Sequence, residues 1–270
     1  MRITTKFFVL LSVIISLFSA ISFLYLHTEN RRLAKFMEEQ KTYRQENFTK
    51  IYDLIGDPLE TWAFDYTWWN DMVDFVQKND IAWAKVNLDQ GLATFKATDH
   101  WTYSVNYSYV YSGNNRGDES LKELPLPLNT IPELFRRGPF CHFFVYTSLG
   151  LMEVRGSVIV QDNDQAHIGD DRYGYFFVGR LWTEDHINDL ASVTQNEIQV
   201  LPAGEKIVDR GSDGLNAIIS FQKPLIGWDG SPVAVILAQS EIPGFQKFYN
   251  VKKHLSILFL ELMPDTQILI

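Results

Sequence analysis

The sequence predicts an α+β protein: an apolar N-terminal helix running into a long stalk helix, then antiparallel strands with short helical inserts. Three observations predict it. Phe7 to Leu26 is a run of 20 residues without a charge. Apolar residues then recur at 3-4 spacing through two successive segments, to Val76. From residue 81 the period changes, and over 99–112 it is two, the alternation of a pleated strand.

The first run spans a hydrocarbon layer of roughly 30 Å at 1.5 Å per residue. Arg2 and Lys6 precede it, and Tyr25 lies at its far edge, where aromatic residues favour the interface. Two readings fit. One is a signal peptide cut after Ser22, with Ala20 at the −3 position. The other, favoured because Phe23, Leu24 and Leu26 prolong the apolar run, is an uncleaved anchor. Arg31, Arg32, Lys35, Lys41 and Arg44 outnumber Arg2 and Lys6, so flanking cations leave the orientation open. Long domains translocate largely regardless of such charges, and a short basic leader suits export of the domain beyond the span.

Residues 28–55 hold no Pro or Gly. Leu33, Phe36/Met37, Gln40, Tyr43, Asn47, Ile51 and Leu54 share one helical face. That face is either packed on its own domain or the seam of a homodimer. Gly56-Asp57-Pro58 is expected to end this helix and start another, with Asp57 as cap and Pro58 in the first turn. The new helix carries Leu59, Trp62, Tyr66, Trp69, Val73 and Val76 as a core-facing stripe. Asp65 lies beside Trp62 and Tyr66. It is read either as an acceptor locking a nearby turn or as a signalling contact.

Residues 99–112 alternate strictly and predict one strand. SGNNRGDES (112–120) predicts a loop. A short helix is expected near 126–138. Strands are then expected near 141–147, 152–161 and 173–181, the last two joined by a polar loop around Asp162, Asp164, His167, Asp170 and Asp171. That loop is read as solvated rather than as a cation site. Thr183 should cap a helix over 183–193. Further strands are expected near 197–201, 216–222 and 232–240.

The stretch Asp65-Tyr66-Thr67-Trp68-Trp69-Asn70-Asp71-Met72-Val73-Asp74-Phe75-Val76 resembles the helix of the CHASE domain, type four. Asp65, Trp69 and Asp71 match its pattern; Asn70 stands where an acid is usual. LNTIPELFRRG, Gly174 to Leu181 and Leu225 to Pro232 resemble later parts of that domain, in the same order. The likeness covers about residues 55–245. It implies a PAS-like or Cache-like fold, a long helix plus an antiparallel sheet. It further implies an extracytoplasmic sensory module of prokaryotic receptors with histidine kinase or cyclic-di-nucleotide output. The expected organisation is an anchor at 1–27, a stalk at 28–56, a sensory domain at 57–250, and the truncated start of a second membrane segment at 251–270. No output-domain motif occurs in the chain.

Composition narrows the partners. The net charge is −9 and no Lys/Arg cluster offers a basic face, so nucleic acid is not expected. Cys141 is the one cysteine, which excludes an internal disulfide. No nucleotide-binding, hydrolase or metalloprotease motif appears. The reading is therefore a non-catalytic binding module needing no cofactor or metal. Its expected partners are the membrane, a small-molecule ligand and a second copy. An exported single-span protein that binds lipid or cell wall is the alternative.

In a PAS-like sheet the ligand sits on the concave face among aromatic walls. Trp101, Tyr103, Phe143, Tyr146, Arg155, Phe176, Arg180 and Trp182 are the candidates. Strand parity prevents all of them from facing one pocket. Arg155 and Arg180 carry most information, because guanidinium forks grip carboxylate or phosphate. Arg180 is alternatively a structural partner of Asp65 or another acid.

Overall fold

The computed structural model describes residues 3–164, 167, 171–205 and 218–242. They divide between two compact units, one of residues 1–46, 208–221 and 239–270, the other of 47–207 and 222–238. The described part of the first unit is chiefly the N-terminal helix. Phe7, Phe8, Leu10, Ile14, Leu17, Ile21 and Leu24 are exposed along it. Among the described residues, this is the one helix long and apolar enough to cross a membrane. Arg44 donates to the Glu241 carbonyl within this unit.

The helix, α1, runs without a break from Ile3 to Asp65. The expected stop at Gly56-Asp57-Pro58 does not occur. Pro58 removes only the donor that would bond the Leu54 carbonyl. The next carbonyl, that of Ile55, accepts from Arg180 Nη1 at 3.0 Å. A buried side chain thus supports the backbone where the proline weakens it.

The break comes later. After Asp65 the chain makes a single 3₁₀ turn, Tyr66–Trp68, and Trp69 is extended. Helix α2 then spans Asn70–Lys78, α3 Ile81–Asn87 and α4 Asp89–Thr94. A continuous helix over this stretch was expected because the 3-4 stripe is uninterrupted. The short turn preserves its phase: Leu59 and Trp62 before it enter the same core as Val73 and Val76 after it.

Five strands come next, in one antiparallel sheet: β1 Asp99–Ser104, β2 Tyr109–Asn114, β3 Phe140–Thr147, β4 Gly150–Ile159 and β5 Gly174–Leu181. Their order is β2-β1-β5-β4-β3. The single strand expected over 99–112 is a hairpin. Tyr107 sits at φ 64°, Tyr107 N bonds Ser104 O and Ser104 N bonds Ser108 O, so the chain reverses inside the alternating run. Helix α5 is one turn, Ile131–Leu134, preceded by a 3₁₀ turn at Leu128–Thr130. Helix α6, Glu184–Thr194, starts at the expected cap: Thr183 Oγ1 accepts from His186 N. β6 Glu197–Pro202, β7 Ile218–Ile226 and β8 Pro232–Glu241 form a second sheet in the order β6-β8-β7. A bridge from Phe144 to Gly227 joins the hairpin of that sheet to the edge strand β3.

The five-stranded sheet has two cores. One face packs on α1, α2, α3 and α4 through Phe176, Val178 and Ile159 against Leu59, Trp62, Met72 and Leu92. The other face presents Trp101, Tyr103, Phe143, Val154 and Phe177 to the segment from Leu121 to Phe135. Full burial of side chains this large contributes roughly 1.5–3 kcal/mol each. The segments 206–217 and 243–270, including the membrane-like stretch expected at 251–270, lie outside the described residues.

Candidate functional site

Strand parity sorts the sequence-predicted residues. Trp101, Tyr103 and Phe143 lie on the face away from α1 and are essentially closed to solvent. The main chain of the covering segment takes up the polar groups of the first two. Trp101 Nε1 donates to Leu121 O at 2.9 Å, and Leu124 N donates to Tyr103 Oη at 2.9 Å. This face is filled by the protein's own strap. Phe176 belongs to the opposite core, with its ring 5.5 Å from Trp62. Trp182 packs between Tyr52 and Phe144. Tyr146 is 47% exposed near the β3–β4 turn. The eight residues therefore do not share one concave face.

What the fold does bring together is Arg155 and Arg180, on adjacent strands beneath α1 at Tyr52 to Glu60. Arg180 Nε donates to Lys96 O at 2.9 Å, and Nη2 to Phe95 O at 3.3 Å. With Ile55 O, it ties the end of α4 to the C-terminal part of α1. The alternative read from the sequence, an ion pair of Arg180 with Asp65 or another acid, is not found among the described residues; the guanidinium bonds backbone carbonyls. Asp65 makes no side-chain cap bond to the 3₁₀ turn after it.

Arg155 is differently placed. Its Nε donates to Glu153 Oε1 at 3.2 Å, and Nη1 reaches Glu60 Oε2 on α1. His142, its direct cross-strand partner on β3, lies 3.1 Å from Glu153 Oε1. Glu153 is buried at 3% exposure. Burial alone pushes its carboxyl up. The His142 hydrogen bond and the charges of His142, Arg155 and Arg180 outweigh that and hold it down at about 2. Burial depresses the Arg180 guanidinium, with Glu153 opposing and Arg155 adding to the effect. His186 on α6 is pushed down to about 4, first by burial and then by the charge of Arg180.

The family-motif residues Trp69, Asn70 and Asp71 lie where α2 begins. Trp69 stacks on Tyr66 at 4.3 Å, and its carbonyl accepts from Met72 N and Val73 N, opening α2. Asn70 Oδ1 accepts from Asp162 N. Asp71 lies in the first turn of α2, where its charge complements the helix dipole. His167, expected in a solvated loop, is 3% exposed. Its Nε2 is 2.8 Å from Thr67 Oγ1 inside the 3₁₀ turn, a buried polar pairing that draws the ring inward. Asp170 lies outside the described residues.

A family model described as the CHASE4 domain matches residues 56–201, more than half of the chain. The chain belongs to the CHASE4 family. CHASE4 domains are extracytoplasmic sensory modules, and the Arg155 cluster lies within the matched region. The solved structures similar to this chain include two sensory domains. One is the periplasmic domain of Vibrio cholerae LuxQ, at 9% identity, covering 76% of this chain and 99% of that chain with a TM-score of 0.43. The other is the sensory domain of the Campylobacter jejuni chemoreceptor Tlp3 (CcmL), at 14% identity, covering 78% and 95% with a TM-score of 0.44. No curated protein matches the CHASE4 chain.

In the sequence Glu60 of this CHASE4 domain reads as a capping-box acid after Asp57, and His142 only as the neighbour of Cys141; neither they nor Glu153 read as site residues. Gly56 and Glu60, one helical turn apart on α1, were the available signal. A glycine inside a helix marks close approach, and the carboxylate on the same face marks what approaches.

Proposed function

We propose that this chain is the membrane-anchored, ligand-sensing part of a signal-transduction receptor of the histidine kinase or cyclic-di-nucleotide enzyme type. Residues 1–27 are the anchor, and the sensory domain lies on the periplasmic or extracellular side. Residues 28–56 pair with a second copy along the helical face of Leu33, Tyr43 and Leu54.

The observation that carries this reading is the continuity of α1. One helix contains both the apolar run and the residues that meet the buried arginines, Ile55 and Glu60. A ligand that rearranged those arginines would act directly on the element leading to the membrane. The cluster holds no nucleophile with a neighbouring base, and the Cys141 thiol is pushed well up by burial, which makes it inert. The reading is therefore binding without catalysis.

Two measurements test it. Alkaline phosphatase fused after residue 245 is expected to be active; an inactive, well-expressed fusion overturns the orientation. The full chain joined to a histidine kinase output is expected to change kinase activity when small molecules are added outside the cell. An unresponsive chimera across a broad metabolite panel overturns the sensor reading.

A further inference from the structure

Arg155 has two carboxylate partners of opposite character. Glu153 is buried beside it on the same strand, while the side chain of Glu60 is 66% exposed. Without Glu60, the fixed charges under α1 are Arg155 and Arg180 against Glu153, an excess of one positive charge. Water can readily solvate Glu60, but it cannot reach the 8% exposed guanidinium in the same way. Glu60 is thus a replaceable occupant of a place that requires an anion.

The surroundings add a second requirement. On β3, Phe140 and His142 point toward the α1 side, opposite Ser157 and Arg155. On α1, Phe64 lies one turn after Glu60 and meets Phe140 at 5.4 Å between ring centroids. Phe140 is 40% exposed. β3 is the edge strand of its sheet, and the His167 ring packs on both Phe64 and Phe140, at 5.1 and 5.3 Å between centroids, leaving part of Phe140 exposed. The charged end and the aromatic end are separated by four residues of helix or two of strand, roughly 6–7 Å.

We propose that the surface where α1 meets β3 binds a small organic carboxylate bearing an apolar group, and that Glu60 is its built-in occupant. The carboxylate takes the Arg155 fork in place of Glu60, and the apolar group rests on Phe64 and Phe140. Binding releases Glu60 from the sheet and removes one tie between α1 and β4. This deepens the sensor reading, on which its regulatory part rests.

The test uses the full chain in lipid nanodiscs and isothermal titration with hydrocinnamate. Acetate and hydrocinnamyl alcohol serve as probes lacking one end or the other. Hydrocinnamate is expected to bind more tightly than either. Glu60→Gln should tighten it about fivefold, equivalent to about 1 kcal/mol, by removing the competitor. Arg155→Gln should abolish binding. Phe140→Ala, at an exposed position, should weaken hydrocinnamate and leave acetate unchanged. Absence of hydrocinnamate binding to both the unaltered chain and Glu60→Gln overturns the site. Equal affinity of the two overturns the role of Glu60. Binding in this pattern with a silent kinase chimera leaves the site standing and removes the sensor reading.

Discussion

Gly56 and Arg155 are fitted to each other across the helix–sheet interface: a Cβ on residue 56 would fall on the Arg155 guanidinium. The glycine lies inside a continuous helix, where it costs about 1 kcal/mol relative to alanine. Its absence of a side chain lets α1 come down onto β4 with Arg155, Glu153 and Glu60 between them. Two residues on, Pro58 weakens the helix again, and Arg180 supports the carbonyl beside the gap. The weakest stretch of α1 is therefore held by two arginines of the sheet.

Gly56→Ala is accordingly expected to destabilise the protein, although alanine is the better helix former. The guanidinium can move only by leaving Glu153 or Glu60, so a loss of about 1–2 kcal/mol is expected. A lowered melting temperature checks this. The same substitution combined with Arg155→Met should recover most of the loss, because the steric conflict is gone. A rise in melting temperature for Gly56→Ala alone would show that the close approach is unimportant.

Arg180→Met tests the lock. It removes the Arg180 donor from the partly buried Phe95, Lys96 and Ile55 carbonyls. A loss of about 3 kcal/mol is expected without any ligand present. Arg180→Lys should recover little, since one ammonium cannot reproduce the planar fork. Unchanged stability with lost ligand binding would make Arg180 a ligand contact instead.

The sheet was largely legible because its signals are local. Strands expected near 141–147, 152–161 and 173–181 match β3, β4 and β5, and Thr183 placed the start of α6. The errors arose where tertiary contacts override local chemistry. Gly56-Asp57-Pro58 reads as a stop, yet two distant arginines hold the helix through it. Trp69 sits at a true break, yet the hydrophobic phase runs on across it. The β1–β2 turn has Tyr107 rather than glycine at positive φ, so the alternation masks the reversal. At the site, the arginines stood out as isolated cations on apolar strands. Glu60 did not, because three residues after Asp57 it reads as a capping-box acid.

Acid should act in two successive windows. His186 titrates near 4 in the fold against an ordinary 6.5, so between those values the unfolded chain holds more protons. Its contribution is complete above about 6.5 and declines as pH falls toward 4. Glu153 titrates near 2 against an ordinary 4.5, so its contribution is complete above 4.5 and declines toward 2. Melting temperature against pH should show both declines. His186→Gln should flatten the upper one and leave the lower. If it flattens neither, the His186 ring is solvated in the fold.

The strap over the far face gives the last prediction. Leu124 N bonds the Tyr103 hydroxyl, and both lie in the buried core; burial pushes that phenol up to about 12, so it stays neutral. Tyr103→Phe removes the oxygen, keeps the ring, and leaves a buried N–H without that acceptor. The expected cost is about 1–3 kcal/mol, the desolvation penalty of an orphaned donor. Trp101→Phe also removes ring volume, so it measures packing and hydrogen bonding together. The discriminating readout is amide hydrogen exchange. In Tyr103→Phe the Leu124 amide should exchange faster, with Leu121, Leu124 and Leu126 losing protection as a group. The strands β4 and β5 beneath them should stay protected. That pattern makes the strap a separate unit that opens over an intact sheet. Uniform loss of protection across both would mean that the strap and the sheet unfold together, and that this face has no lid of its own.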